Sequence, residues 1–374
     1  MVSKAKVAIL KCNSYSPNLL KGAVVKLLHL LDFDYNQKWK NILINPNLLS
    51  AKGPERAITT HPNLVRTVAD LFSSDSANVL VGDSPGGADR GIKRVWKNTG
   101  LLDAIQGAQA NLYSFEGNPV TSARFNGREF WIADIRSKSD LVIGLPKLKT
   151  HVLTLMTGAL KNCFGFIPGF RKSVYHKEFP KPYEFSEMLA HLYAATKPDL
   201  FIMDAILSME GDGPSSGKPK SLNLLMASTD AVALDTVAST IIGFNPMQID
   251  YLRIAKEMGI GCADIDHIGI RGEKLENCRV HSFQLPSNTK LKVIPDFLIK
   301  MIRPYVWAHP AINYDTCIKC NICKNNCPMQ AISNENGRLI YDYSKCIDCM
   351  CCHELCPNQS IFLNKSWLVK KFIK

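Results

Sequence analysis

The chain has 374 residues, 46% of them hydrophobic, with 45 Lys and Arg against 33 Asp and Glu and a formal net charge of +12. That length exceeds one small domain and predicts two or three units with ordinary buried cores. No apolar run reaches the length of a transmembrane helix, and the N-terminal one is too short for a secretory signal, so a reducing, cytoplasmic setting is expected.

In chain order, residues 7–10 read as a strand, and Leu20, Val24, Leu27, Leu28 and Leu31 mark one face of a helix over 19–31. Residues 41–44 read as a buried strand, and Thr60 is the expected cap of a helix over 62–72. A strand at 78–81 runs into Gly82-Asp83-Ser84-Pro85-Gly86-Gly87. Strands follow at 140–145, 199–204 and 222–226, then a helix over 231–242 and a short strand at 267–270. Strands interleaved with helices predict an α/β domain over 1–285, a mostly parallel sheet covered by helices.

Residues 286–309 read as a connector with Pro286, Pro295 and Pro304, its stretch 297–307 a docking helix. A small α+β ferredoxin-like domain is expected at 310–362, and a basic apolar tail at 363–374 that docks back or frays. The charge is uneven: 311–360 carry four Lys/Arg and five Asp/Glu, and 361–374 carry four Lys and no acid. The remaining residues thus hold about +9 of the total. Such a body suits an anionic substrate, an acidic redox partner protein or a negative surface. No nucleic-acid motif is present, so no nucleic-acid partner is expected.

Two copies of one cysteine pattern lie in the small domain. Cys317-x2-Cys320-x2-Cys323-x3-Cys327-Pro328 is followed by Cys346-x2-Cys349-x2-Cys352-x3-Cys356-Pro357. This is the spacing of two-cluster bacterial ferredoxins, in which each run gives three thiolates to one 4Fe–4S cluster and its fourth to the other. Cys317, Cys320, Cys323 and Cys356 are therefore assigned to one cluster. Cys346, Cys349, Cys352 and Cys327 are assigned to the second. Ala331-Ile332 and Ser360-Ile361 recur at one offset, the mark of an internal duplication. Structural zinc favours paired C-x2-C units, and disulfides need an oxidising compartment. Cys351 falls outside the spacing, and Cys12, Cys163, Cys262 and Cys278 read as buried free thiols.

In an open parallel sheet, ligands bind beyond the C-terminal ends of the strands. Four such ends carry polar residues: Asn45-Pro46-Asn47; the Gly82 loop; Lys147, Lys149 and His151; and Asp204 with Glu210-Gly211-Asp212-Gly213-Pro214. Lys147 and Lys149 are candidate anion binders and His151 a candidate proton donor. Asp83, Asp204 and Glu210 are candidate acid–base groups or ligands of a divalent metal. Solvated loops and turn-stabilising Asp residues are the plainer readings, and His61 beside Pro62 reads as structural.

These segments resemble the domain-of-unknown-function 362 family, with its IKPN, THP, GDSPGG and PKLKTH motifs. The matching stretches are Ile44-Asn45-Pro46-Asn47, Thr60-His61-Pro62, the Gly82 loop and Pro146-Lys147-Leu148-Lys149-Thr150-His151. Gly158-Ala159-Leu160-Lys161-Asn162, Asp230 and Asp235 are similar too. Asn45 stands where the family has lysine. The resemblance implies this architecture and iron–sulfur content, and no settled substrate.

The leading expectation is an iron–sulfur oxidoreductase that passes electrons through two 4Fe–4S clusters to a small anionic substrate, or to a flavin or metal cofactor, at the rim. Two alternatives stay open: a non-enzymatic electron-transfer or assembly protein, and a non-redox lyase or isomerase with structural clusters.

Overall fold

The structure is a computed structural model and describes residues 5–85, 91–169, 171–179, 181–286 and 308–367. Its larger part is built on a sheet that has ten strands among the described residues. These are β1 (Lys6–Lys11), β2 (Asn41–Pro46), β3 (Asn78–Asp83) and β4 (Asn111–Ser114). A separate hairpin, β5 (Val120–Phe125) and β6 (Arg128–Ala133), comes next. The sheet resumes with β7 (Leu141–Leu145), β8 (Lys147–His151), β9 (Leu155–Thr157), β10 (Leu200–Glu210), β11 (Lys218–Ser228) and β12 (Gly269–Gly272).

The strand order is β12-β1-β11-β10-β7-β2-β3-β4, with β8 on β10 and β9 on β8. β11 runs antiparallel to β1 and β10, whereas β12/β1, β10/β7, β7/β2, β2/β3 and β3/β4 are parallel. The expected mostly parallel, helix-covered sheet is what the chain forms.

Side-chain alternation along each strand divides the apolar residues between two cores. Ile42 and Ile44 of β2 and Leu141 and Ile143 of β7 enter one, packed under helices Pro17–Leu30 and Pro62–Phe72. Leu43 and Val142 enter the other, under Pro182–Thr196, Ala231–Ile241 and Asp250–Glu257. Leu20, Val24, Leu27 and Leu28 of the first helix are all buried, as their spacing predicts. Each such side chain contributes about 1.5–3 kcal/mol on burial.

Three local expectations are corrected. Thr60 does not cap the helix; its hydroxyl donates to the Leu145 carbonyl at 2.5 Å, while the His61 ring accepts from the Asn63 N–H. The strand expected at 199–204 continues to Glu210 and forms a long antiparallel hairpin with β11. That overhang offers a free edge past the end of β7, and Lys147–His151 takes it: Asp204 pairs with Lys147 and Met209 with Lys149. A segment read as a polar loop is thus a strand buried at all five positions.

In the C-terminal part, β13 (Ala308–Ile312) pairs with β16 (Ile361–Lys365), and β14 (Ile332–Glu335) with β15 (Arg338–Tyr341). Short helices Ile322–Asn325 and Cys351–Leu355 complete the small α+β unit, whose core is Ile312, Ile332, Leu339 and Ile361. The duplication is visible in the backbone. Lys319 and Asp348, Asn321 and Met350, and Gln330 and Gln359 occupy equivalent positions, each with φ between 50° and 60°. The helix expected at 297–307, Gly86, Gly87 and the tail beyond Trp367 lie outside the described residues.

Candidate functional site

β1 runs in the same direction as β10, because both are antiparallel to β11. Its C-terminal end therefore joins those of β2, β3, β7 and β10 on one rim. The loop after β1 brings Tyr15 there, a residue the sequence reading missed. The polar run Asn13-Ser14-Tyr15-Ser16 directly after the first strand was the available signal.

Asp204 is the hub. Its carboxylate accepts from the Tyr15 hydroxyl at 2.7 Å, the Lys147 ammonium at 2.8 Å, the His61 N–H at 2.9 Å and the Ile206 N–H at 3.3 Å. Tyr15 Oη also accepts from Lys147 at 3.2 Å and from the Leu207 N–H at 3.0 Å. The Tyr15 and His61 rings stack with centroids 3.6 Å apart. Lys147 is 1% exposed and Asp204 fully buried, so the ion pair is sealed from water. Burial pushes the Lys147 ammonium down, and Asp204 opposes that shift. Burial pushes the half-buried His61 ring down to about 4, against the pull of Asp204, so it is neutral at physiological pH. Its Nδ1 accepts from Asn63, which leaves the proton on Nε2.

Lys149 is equally buried and donates to Asn47 Oδ1 at 2.8 Å and the Ile58 carbonyl at 2.5 Å. Neither lysine is a solvated rim cation. His151 is fully buried, and its Nδ1 accepts from the Leu153 and Thr154 N–H groups, so it organises the turn into β9. Asp83 accepts from Leu48 N at 2.8 Å and from Ser84 N at 2.9 Å. Burial pushes its carboxyl up, with Lys172 opposing. A Cβ on Gly165 would stand 2.1 Å from Asp83 Oδ1. Asn45, in the family's lysine position, is buried; it donates to Gly82 O and accepts from the Asn162 amide. Glu116, which the sequence reading also missed, accepts from the Ser84 hydroxyl and is pushed up by burial.

Glu210 is engaged elsewhere, accepting from the Gln284 N–H at 3.0 Å with Lys220 4.0 Å away. The structure does not gather Asp83, Asp204 and Glu210. Among the described residues no three His, Cys, Asp or Glu side chains are placed to hold one metal ion. Asp230 caps the helix Ala231–Ile241. Asp235 accepts from the Ala159 and Leu160 N–H groups, and burial pushes it up to about 7. Two of the family-like positions are thereby structural.

In the small domain, Cys317, Cys320, Cys323 and Cys356 line one cavity, walled by Ile312, Leu339 and Ile361. Cys346, Cys349, Cys352 and Cys327 line a second, walled by Pro310, Met329 and Tyr341. In each cavity one of the four cysteines comes from the other run, Cys356 in the first and Cys327 in the second. Each also accepts an N–H from four residues on, Ala331 to Cys327 and Ser360 to Cys356, both at 3.2 Å. Thiols spread around an apolar cavity, rather than converging on a single ion, fit an iron–sulfur cluster better than zinc. Cys351 also borders the second cavity. Of the other thiols, Cys12, Cys163 and Cys278 are buried as expected, whereas Cys262 is half-buried.

The two parts meet at Gln359, three residues beyond Cys356. Its side chain accepts from Arg56 Nη2 at 2.6 Å and donates to the Ser215 carbonyl at 2.5 Å. Arg56 ends the short turn Pro54–Arg56, two residues before the Ile58 carbonyl that receives Lys149. Ser215 lies in the loop between β10 and β11. That loop packs so tightly on β8 that a Cβ on Gly213 would stand 2.2 Å from the Thr150 carbonyl.

The profile of the family described as domain of unknown function, DUF362, matches residues 42–240, and that of a 4Fe-4S dicluster domain matches residues 309–357. A thylakoid-associated protein of Synechocystis sp. is 33% identical over 258 residues, covering 68% of this chain and 79% of that protein. The solved lactate racemase apoprotein of Thermoanaerobacterium thermosaccharolyticum aligns at 14% identity and a TM-score of 0.43, over 64% of this chain and 57% of that one. A structural-genomics protein of Thermotoga maritima aligns at 13% identity and a TM-score of 0.38, over 66% of this chain and 60% of its own. This chain thus spans less than two thirds of either solved chain. No helix among the described residues is long and apolar enough to cross a membrane.

Proposed function

We propose that this chain, which belongs to the DUF362 family (domain of unknown function) and carries a C-terminal 4Fe-4S dicluster domain, is an oxidoreductase that reduces a small anionic substrate or cofactor at the rim of its α/β domain. The observation that carries the reading is the Gln359 junction, which fixes the Cys356 corner of the small domain against two rim loops. Cys317, Cys320, Cys323 and Cys356 would hold one cluster, and Cys346, Cys349, Cys352 and Cys327 a second. Such clusters, when bound, supply one-electron transfer.

The chain's own residues supply charge and hydrogen bonds. Lys147 and Lys149 are buried beneath the rim rather than on it; Lys147 is neutralised by Asp204, so the field that acts on an anion is that of Lys149. Tyr15 and His61 are the half-buried members of the Asp204 network and the ones within reach of a rim ligand. The neutral His61 ring, with its proton on Nε2, is the proposed hydrogen-bond donor to the anion as charge builds on it, and it stands in place of the proton-donor role expected of His151. The basic balance of the body supports an anionic substrate, and an acidic redox partner protein as the electron source. A reducing compartment suits the thiols, so a cytoplasmic location is proposed. The thylakoid association of the Synechocystis relative is compatible with the cytoplasmic face of a membrane.

The test supplies cluster-replete protein with a low-potential donor and a panel of small anionic acceptors. Acceptor-dependent oxidation of the donor is expected, lost in Cys320→Ser. Undiminished turnover after the clusters have been stripped from folded protein would refute the proposal. The burial and full engagement of Lys147 and Asp204 favour a second reading, a non-enzymatic electron carrier. A stable protein partner from the native cell, together with no small-molecule acceptor, would select it.

A further inference from the structure

The two cysteine cages are equivalent in backbone and unequal in charge. At the position between the first two cysteines of each run stands Lys319 in one and Asp348 in the other, with φ of 53° and 50°. Asp348 Oδ1 lies 3.6 Å from Cys346 Sγ, within the second cage. Over 313–328 the charged residues are Asp315, Lys319 and Lys324, whereas over the equivalent 342–357 they are Asp342, Lys345, Asp348 and Glu354.

The body adds to the imbalance. Gln359 holds the Arg56 guanidinium beside the Cys356 corner, while its equivalent Gln330 is exposed. Arg56 Nε is itself buried and has no hydrogen-bond partner among the described residues. Glu55 is exposed to water and screened. Two features oppose the trend at the second cage, the Tyr341 hydroxyl donating to Cys352 Sγ at 3.1 Å and His309 paired with Asp348 at 2.8 Å. One neutral hydrogen bond and one partly compensated carboxylate are outweighed by Arg56 and Lys319 on the first.

We infer that the cage of Cys317, Cys320, Cys323 and Cys356 has the higher reduction potential of the two, so that a single electron entering the small domain resides beside Arg56, next to the α/β body. The physical cause is Coulombic: reduction adds one negative charge, which nearby cations favour and a carboxylate disfavours. The electron comes from a one-electron donor such as dithionite or a reduced low-potential protein. The donor is oxidised by one electron and the first cage's cluster is reduced by one. No proton or leaving group is involved. The inference rests on each cage holding a cluster, which iron and sulfide content test separately. It does not depend on which acceptor, if any, the rim serves.

The experiment is a redox titration of the cluster-replete full chain followed by electron paramagnetic resonance. Two resolved potentials are expected. Arg56→Gln should lower the higher one by up to tenfold in equilibrium constant, about 59 mV for a one-electron couple, and leave the lower one in place. Lys319→Gln should act in the same sense on the same signal, and Asp348→Asn should raise the lower one. A single shared potential, a shift of the lower potential on Arg56→Gln, or no shift in either Arg56→Gln or Lys319→Gln would overturn the inference.

Discussion

Arg56 and Gln359 are 303 residues apart in sequence and 2.6 Å apart in space. This bond, with the one from Gln359 to the Ser215 carbonyl, ties a thiolate corner of the small domain to two loops of the α/β rim. Gln330, the duplicate of Gln359, is exposed, so the duplicated fold alone does not call for the contact.

Gln359→Ala should therefore loosen docking without unfolding either part. The expected result is an increase in the rate at which limited proteolysis separates the two parts, at unchanged iron content. Gln330→Ala is the matched control and should behave as wild type. Equal proteolysis of the two variants would show that the junction does not hold the parts together.

Removing one member of the sealed ion pair leaves the other charge buried and unpaired. Lys147→Met should cost about 3–5 kcal/mol in urea denaturation, and adding Asp204→Asn should recover part of that loss. Additive losses in the double variant would mean that the pair is not coupled as its 2.8 Å separation indicates.

Asp235 gives a pH prediction with a definite sign. Its folded pKa, about 7, lies above the ordinary carboxylate value of 3.8, so the folded state holds a proton that the unfolded chain has released. The stability it contributes is full below about pH 4 and is lost as pH rises toward 7, by up to about 4 kcal/mol. Asp235→Asn should flatten the pH dependence of the denaturation midpoint across that window. Parallel wild-type and variant profiles would rule the assignment out.

Gly213→Ala would press a methyl group into the Thr150 carbonyl, 2.2 Å from an ideal Cβ. An overpacking cost of about 1–3 kcal/mol is expected, read as a lowered thermal midpoint. Wild-type stability would show that the β10–β11 loop is free to move off β8.

Much of this was legible in the sequence because its causes are local. Ile42, Leu43 and Ile44 announce a strand, Leu20 to Leu31 a helix, and the cysteine spacing the exchange of Cys327 and Cys356. Lys147 and Lys149 were misread for a physical reason: two lysines and a histidine describe a solvated loop unless another strand overhangs to cover them. That overhang belongs to β10, more than fifty residues later. Tyr15 was missed because its partner Asp204 lies 189 residues away. The Gln359 junction is a contact between domains and leaves no local pattern at all.

The central claim is that electrons held by the cysteine cages are used at the rim. Its most direct test is single-turnover reoxidation of the reduced clusters by a saturating small anionic acceptor, comparing wild type with His61→Gln. With cluster content and potentials unchanged, reoxidation should slow about hundredfold, the loss expected when one preorganised hydrogen-bond donor is removed. Reoxidation of His61→Gln at the wild-type rate would contradict the account, because electrons would then be leaving the chain without passing the rim.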